Sequence, residues 1–301
     1  MTAAPEVMRD RFADVAIDLL DHDPRVALVL ADIGIARFAD VLERHPDRVL
    51  NVGIREAVQI GVASGLALTG FRPIAHNYAP FLVERAFEQL KIDLSHQDAG
   101  AILVSVAGSY DAAHEGRTHQ APGDVALLQT LPDWTIHLPG HPDELERLLR
   151  REAARDGCAY VRLATQLNRR AFDNPAGLTR VREGTRGTVV AVGPLLDPVL
   201  EGAEGLGVTV LYTATVRPFD GAGFRGQLSG TDVVLVEPTL AGTSAPTVSA
   251  LLEDVPHRLL ALGVENVDLR RYGTPQEHAA AHSLDARGIR ERLTRFLDAR
   301  P

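Results

Sequence analysis

The chain has 301 residues, 45% of them hydrophobic and 24% charged, which suits a folded globular protein with room for two cores. Its formal charge is -9, so nucleic-acid phosphates and anionic membranes would be repelled by the surface as a whole. A lone cysteine, Cys158, excludes an intrachain disulfide. The opening stretch MTAAPEVMRDRFADVAIDLL is amphipathic and acidic, without the basic-then-apolar order of a signal peptide. Asp32 interrupts the best apolar run, VALVLADIGIA, well short of the ~18 residues of a membrane span. A soluble, cytoplasmic protein is expected.

In chain order, short β-branched runs alternate with segments of helical period. Strands are expected at Val26–Ala31, Val49–Val52, Arg72–His76, Ile102–Ala107, Thr135–Leu138 and Tyr160–Leu163. Helices are expected at Glu56–Leu68, Phe81–Ser95, Asp124–Leu131 and Pro142–Ala154. Strands this apolar are buried on both faces, which implies mostly parallel sheets covered by helices. After Gln166 the pattern lapses into LNRRAFDNPAGLTRVREGTRG, read as a linker. A second series follows at Thr188–Val192, Val208–Tyr212, Val233–Val236 and Arg258–Leu262, with a last helix near Ala286–Leu297. The expected fold class is α/β, with two consecutive doubly wound domains, 1–168 and a smaller 187–301, joined by a linker over 169–186.

Several chemical signatures are absent. There is no Walker A loop, GxSxG, HExxH or CxxC, and the 11 histidines show no zinc-ligand spacing. GAGFRG at 221–226 matches GxGxxG in letters only. RPFD separates it from the preceding strand and no helix fits between it and the next, so a loop is expected there.

The stretch VLNVGIREAVQIGVASGLALTGFRPIAHNYAPFLVERAFEQLKIDL, from Val49 to Leu94, says more. A strand ends at Gly53 and a helix starts at Arg55 and Glu56. Gly61, Ala63, Ser64, Gly65 and Ala67 leave that helix able to approach another backbone closely. Each interior glycine costs about 1 kcal/mol against alanine, so a tight contact is expected in return. NVGIREAVQIGVASGLALTG resembles the pyrimidine-domain motif of transketolases, a G-I-x-E run leading into a G-x-A-x-G-x-A helix. Downstream, EGRTHQAPGDVALLQTLPDWTIHLPGHPDELERLLR resembles the same family's G-x-THQ segment and the helix after it. The likeness runs through roughly 8–165 and continues more weakly through a second domain similar to the transketolase C-terminal domain.

The resemblance implies thiamine diphosphate as cofactor and Glu56 as the catalytic carboxyl that meets N1′ of its aminopyrimidine. Sharing a proton there favours the imino form, whose exocyclic nitrogen deprotonates the thiazolium carbon. Desolvation favours a neutral carboxyl in general, and a helix N-terminus favours the anion. Tyr78 and Phe81 match aromatics that line the pyrimidine pocket. Asp32, ending the first strand, matches an acidic residue near the cofactor, although a helix cap would use an aspartate equally well. His119 matches the substrate-channel histidine, flanked by Gln120. Glu115 stands where an aspartate contacts a donor hydroxyl. His76 takes a further substrate-side position, because S-T-F in the family reads His76-Asn77-Tyr78 here.

Departures bear on the substrate and on assembly. The loop Ala107–Glu115 is short, and Thr165 stands where a phosphate-binding arginine is usual; threonine cannot replace that charge. EPTLAGTSAP replaces an acidic-histidine-glycine-glycine run in the second domain. The GDG followed by asparagines that marks the Mg2+-diphosphate domain of enzymes of this kind is absent, so the resemblance, to two-gene transketolases, implies a phosphate cradle and Mg2+ ligands on a separate N-terminal-half subunit. An α2β2 assembly is expected from the family's two-fold pairing. The expected activity is transfer of a two-carbon ketol unit from a ketose, sugar or sugar phosphate, to an aldehyde. Alternatives are the β subunit of a 2-oxo acid dehydrogenase, a deoxyxylulose-phosphate-synthase-like condensation, or a non-catalytic scaffold.

Overall fold

The computed structural model describes residues 7–299; the first six residues of the stretch read for a signal peptide, and the outer ends of both expected domains, lie outside them. Twelve strands form among the described residues: β1 Val26–Leu30, β2 Val49–Asn51, β3 Arg72–Tyr78, β4 Ile102–Val106, β5 Thr135–His137, β6 Ala159–Arg162, β7 Thr179–Arg182, β8 Thr188–Val192, β9 Thr209–Thr213, β10 Thr215–Arg217, β11 Asp232–Leu240 and β12 Arg258–Val264. They make a seven-stranded sheet, ordered β10-β5-β6-β4-β3-β1-β2, and a five-stranded sheet, ordered β12-β11-β8-β9-β7. Pairing is parallel except at one edge of each sheet, β10 on β5 and β7 on β9. The expected α/β class is met: two mostly parallel sheets, with helices on both faces of parallel strands.

Burial explains the parallel arrangement. β1, β8 and β9 are buried at every position, so neither face meets water. On one face of the first sheet Leu28, Leu30, Ile74, Ile102 and Val104 pack against Phe12, Ala16 and Leu20 of the helix Val7–His22. On the other, Val29, Ala75 and Leu103 meet Ile60, Leu82, Leu90 and Leu94. At about 25 cal/mol per Å² of apolar surface removed from water, such layers carry the fold.

Two chain segments depart from the simple two-domain division. β7 lies inside the stretch read as a linker and is the antiparallel edge of the second sheet. β10 follows β9 of the second sheet after one residue, yet it crosses to the first sheet and pairs with β5. Polar ties run across the same junction. The fully buried Glu144 accepts from the Tyr212 hydroxyl at 2.6 Å, Gly140 N at 3.0 Å and Phe172 N at 3.0 Å. Arg162, 4% exposed, pairs with the buried Asp124 at 3.0 Å and donates to the carbonyl of Pro238 in β11. These groups satisfy one another, as buried charge requires.

Two local expectations change. The aromatic segment is helical but largely in wide π turns, Pro80–Arg85 and Leu90–His96, rather than a continuous α-helix. The GAGFRG stretch is a short helix, Gly221–Gly226, not a loop: Asp220 caps it by accepting from Gly223 N, which offsets the glycine cost.

Candidate active site

Glu56 opens the helix Glu56–Leu68, the range the sequence period gives. β2 delivers the chain to a turn at Gly53, whose φ of 71° suits glycine, and Asn51 Oδ1 accepts from Gly53 N at 3.1 Å. The Glu56 carboxylate is 4% exposed, and its Oε1 accepts from Arg85 Nη1 at 2.9 Å. Arg85 is half-exposed, and its guanidinium also lies over the Phe81 ring, 4.2 Å from the centroid. Glu56 and Phe81 therefore share one cation at the lip of the site. Arg85 is a residue the sequence reading missed. The π turn Pro80–Arg85 brings Arg85 round to Glu56, and the α-helical spacing assumed from sequence gives no sign of it.

Beyond Phe81 the contacts continue into the THQ segment. The His119 ring stands edge-on to Phe81 at 5.0 Å and to Tyr78 at 5.3 Å. Its Nε2 donates to Glu115 Oε2 at 2.9 Å, which leaves Nδ1 to accept from the Thr118 hydroxyl, also at 2.9 Å. The Tyr78 hydroxyl donates to the other oxygen of Glu115 at 3.3 Å. Burial, followed by the Glu115 charge, pushes the Tyr78 phenol above its ordinary range, so it stays a donor at neutral pH. Glu56, Phe81, Tyr78, His119 and Glu115, all singled out from sequence, thus form one continuous grouping with Arg85.

The other expected site residues stand apart from this chain of contacts. Asp32 is exposed at the end of β1 with φ 62°; its Oδ1 accepts from Asn51 Nδ2 at 2.9 Å, while its N–H donates back to Asn51 Oδ1 at 2.9 Å. Asn51, also missed from sequence, therefore ties the Asp32 loop to the turn before Glu56. His76 is wholly buried: Nδ1 donates to the Val104 carbonyl at 2.9 Å and the ring packs on Phe12 at 4.6 Å. Burial, with the Arg9 guanidinium adding to it, pushes its pKa down to about 3, so the ring is neutral and Nε2 is a bare lone pair without a hydrogen-bond partner. Gly34 turns at φ 81°, a left-handed conformation that favours glycine, and a Cβ there would sit tightly, 3.3 Å from that ring and 3.4 Å from Arg9 Nη2. Gln120 is half-buried with Nε2 unpartnered, and Thr165 donates its N–H to Asp111 at 3.0 Å while its hydroxyl finds no partner.

The donor set can be tested against the expected cofactor. A shielded carboxylate beside aromatic rings suits a flat, nitrogen-bearing heterocycle. Among the described residues no group of three or more His, Cys, Asp or Glu could hold a metal ion. The grouping fits the pyrimidine end of thiamine diphosphate. Among the described residues, no helix is long and apolar enough to cross a membrane.

Residues 6–170 match the family described as the transketolase pyrimidine-binding domain. The chain is 47% identical, over 92% of its length and 91% of the other's, to an uncharacterized 33.6 kDa protein in the fasciation locus of Rhodococcoides fascians. It is 28% identical to a 6-deoxy-6-sulfo-D-fructose transketolase subunit, SqwH, of a Clostridium species, over 86% of this chain and 85% of that one. A 1-deoxy-D-xylulose-5-phosphate synthase 2 of Geobacter sulfurreducens is 30% identical over 96% of this chain, which spans only 49% of that enzyme. Among solved structures, a split-gene transketolase described as an inactive β4 tetramer superposes with TM-score 0.83 at 24% identity, covering 96% of this chain and 97% of that one. At that identity the likeness speaks to the fold.

Proposed function

Since the chain belongs to the transketolase pyrimidine-binding-domain family, we propose that it is the pyrimidine-side subunit of a thiamine-diphosphate-dependent enzyme that moves a two-carbon ketol unit from a ketose to an aldehyde. The single observation that carries this reading is the Glu56 carboxylate, 4% exposed and in line with Phe81, Tyr78, His119 and Glu115. The diphosphate and its Mg2+ would be held by a separate N-terminal-half subunit, in an α2β2 assembly. A near-full-length match to the subunit SqwH supports that division, as does matching only half of a deoxyxylulose-phosphate synthase.

When bound, thiamine diphosphate supplies the electron sink that makes cleavage next to a carbonyl feasible. Glu56 would hold or share a proton with N1′ of the pyrimidine, and its shielded position makes that contact strong. Arg85 orients the carboxylate through Oε1, leaving the second oxygen for the ring nitrogen. Phe81 and Tyr78 exclude water from this proton. His119 and Glu115 form a hydrogen-bonded pair that can orient donor hydroxyls and hold a proton at Nε2. Thr165 in place of an arginine favours a substrate end without a phosphate, or a cation supplied by the partner.

Reconstitution tests this reading. The chain is mixed with a diphosphate-binding half, Mg2+ and thiamine diphosphate, and offered ketoses or 2-oxo acids. Ketose-dependent transfer to an aldehyde is expected. Decarboxylation of a 2-oxo acid alone would move the assignment to the dehydrogenase or deoxyxylulose-phosphate class, and tight assembly without turnover would make the chain a scaffold.

A further inference from the structure

The second domain reaches the THQ turn at Gly116, beside the bond from Leu240 N to the Pro122 carbonyl. Gly116, between Glu115 and Arg117, is buried at φ 78° and ψ −168°, a conformation open essentially to glycine alone. The ring of Tyr272, on the segment between β12 and the helix Pro275–Ala281, lies directly against it. A Cβ on Gly116 would stand 2.7 Å from Tyr272 Cε1 and 3.2 Å from Cδ1. Tyr272 is nevertheless 73% exposed, so its ring contributes little to any core.

The segment bearing Tyr272 is braced from its own side. Thr274 and Glu277 form a reciprocal capping box, Arg271 donates to the Glu277 carbonyl at 3.2 Å, and Arg270 N donates to Asp268 at 3.1 Å. Beside the contact lies a cleft of about 110 Å³ lined by both domains, among others by Arg117, Gln120, Glu265, Val267, Asp268 and His282. Tyr272 stands at the rim of a contact that continues inward, where Leu240 N donates to the Pro122 carbonyl at 2.9 Å and the Tyr110 ring stacks on His282 at 6.0 Å. Local bonds run through the turn it presses, Glu115 N to Ala112 O at 2.9 Å, His119 N to Gly116 O at 3.0 Å and Gln120 N to Arg117 O at 3.3 Å, and from the first domain the aromatic side chains of Tyr78 and Phe81 meet it.

We propose that Tyr272 is a positioning residue for the site, an aromatic from the second domain that fixes the Gly116 turn and through it the Glu115–His119 pair that receives the donor. Its kinetic consequence rests on the ketol-transfer reading above; its structural consequence does not. The ring reaches no proton that moves, so its loss would weaken how the donor is held and leave the proton chemistry at Glu56 intact.

Two measurements test this. In the purified chain, Tyr272→Ala is expected to speed hydrogen exchange at the His119 and Gln120 amides by roughly tenfold, with melting temperature unchanged within about 2 °C because the ring is mostly exposed. In the assembled enzyme, Tyr272→Ala is expected to raise the donor KM by about tenfold with kcat within about threefold, and Tyr272→Phe, which keeps the ring, to restore both values. Unchanged exchange at those amides overturns the proposal. Unchanged exchange with weaker binding of the partner subunit would overturn it in favour of an assembly contact. If the wild-type assembly fails to turn over ketoses, the ketol reading falls while the exchange result still decides the role of Tyr272.

Discussion

Each of the two sheets carries a buried glutamate near the carboxyl ends of its parallel strands, and the two meet different fates. Glu56, just beyond β2, is 4% exposed, and Glu237, within β11, is 1% exposed. Burial does not separate them; their partners do. Glu56 faces a half-exposed arginine and the edge of an aromatic cluster. Glu237 accepts from Ser244 N at 3.2 Å, has no ion pair among the described residues, and burial pushes its pKa up to about 7. Strand ends of such sheets are where ligands bind. A carboxylate there becomes a candidate catalyst where a half-exposed partner gives it a route outward. Sealed by its own chain, it is a burden on stability.

The sharpest way to break this contrast is to neutralise each carboxylate without changing its shape. Glu56→Gln is expected to lower turnover of the reconstituted enzyme by about 10²- to 10⁴-fold, with assembly intact by sedimentation, whereas Glu237→Gln should leave turnover within about twofold. Equal losses would end the distinction.

A second test concerns the junction between the regions. Arg162→Ala strands the buried Asp124 without its cation, and urea unfolding should register a loss of about 3–5 kcal/mol. A loss below about 1 kcal/mol would mean that the two sheets do not depend on this pair.

The pH dependence of stability sharpens the picture further. Glu237 has a folded-state pKa of about 7, above its ordinary 4.5, so the folded chain binds the extra proton between those values. Its contribution is fully present below about pH 4.5 and is lost as pH rises through about 7, roughly 3 kcal/mol in all. Glu237→Gln, which mimics the protonated acid, should flatten that part of the stability curve, as followed by thermal melts across pH. The smallest effect is expected at Tyr212→Phe. Removing the hydroxyl that donates to Glu144 at 2.6 Å should cost about 1–2 kcal/mol, because two backbone N–H groups still serve that carboxylate.

How much of this was legible depended on whether the signal was local. The helix start at Glu56 follows from a strand end, a glycine and an apolar period in sequence, and it falls where expected. Most of the strands likewise lie within a few residues of their apolar runs. His76 could have been read better. Period-two alternation puts it on the same face of β3 as Ile74, against the helix Val7–His22, and there it is buried. Arg85 could not be placed by a helical wheel, because a π turn shifts the register that brings it to Glu56. Asn51 owes its position to a pairing with the loop after the neighbouring strand, which no spacing encodes. The same is true of Tyr212 with Glu144, 68 residues apart.

The crossing of β10 has a consequence for how this polypeptide could be divided. Three residues of the later half cover the outer margin of β5, whose amides would otherwise lie open at the rim of the first sheet. A fragment trimmed to the pyrimidine-side half would present that bare margin to its neighbours and invite strand-to-strand clumping. The two halves are thus stitched by topology as well as by side chains, and any shuffling of such domains between proteins would have to carry Thr215–Arg217 along with the first sheet.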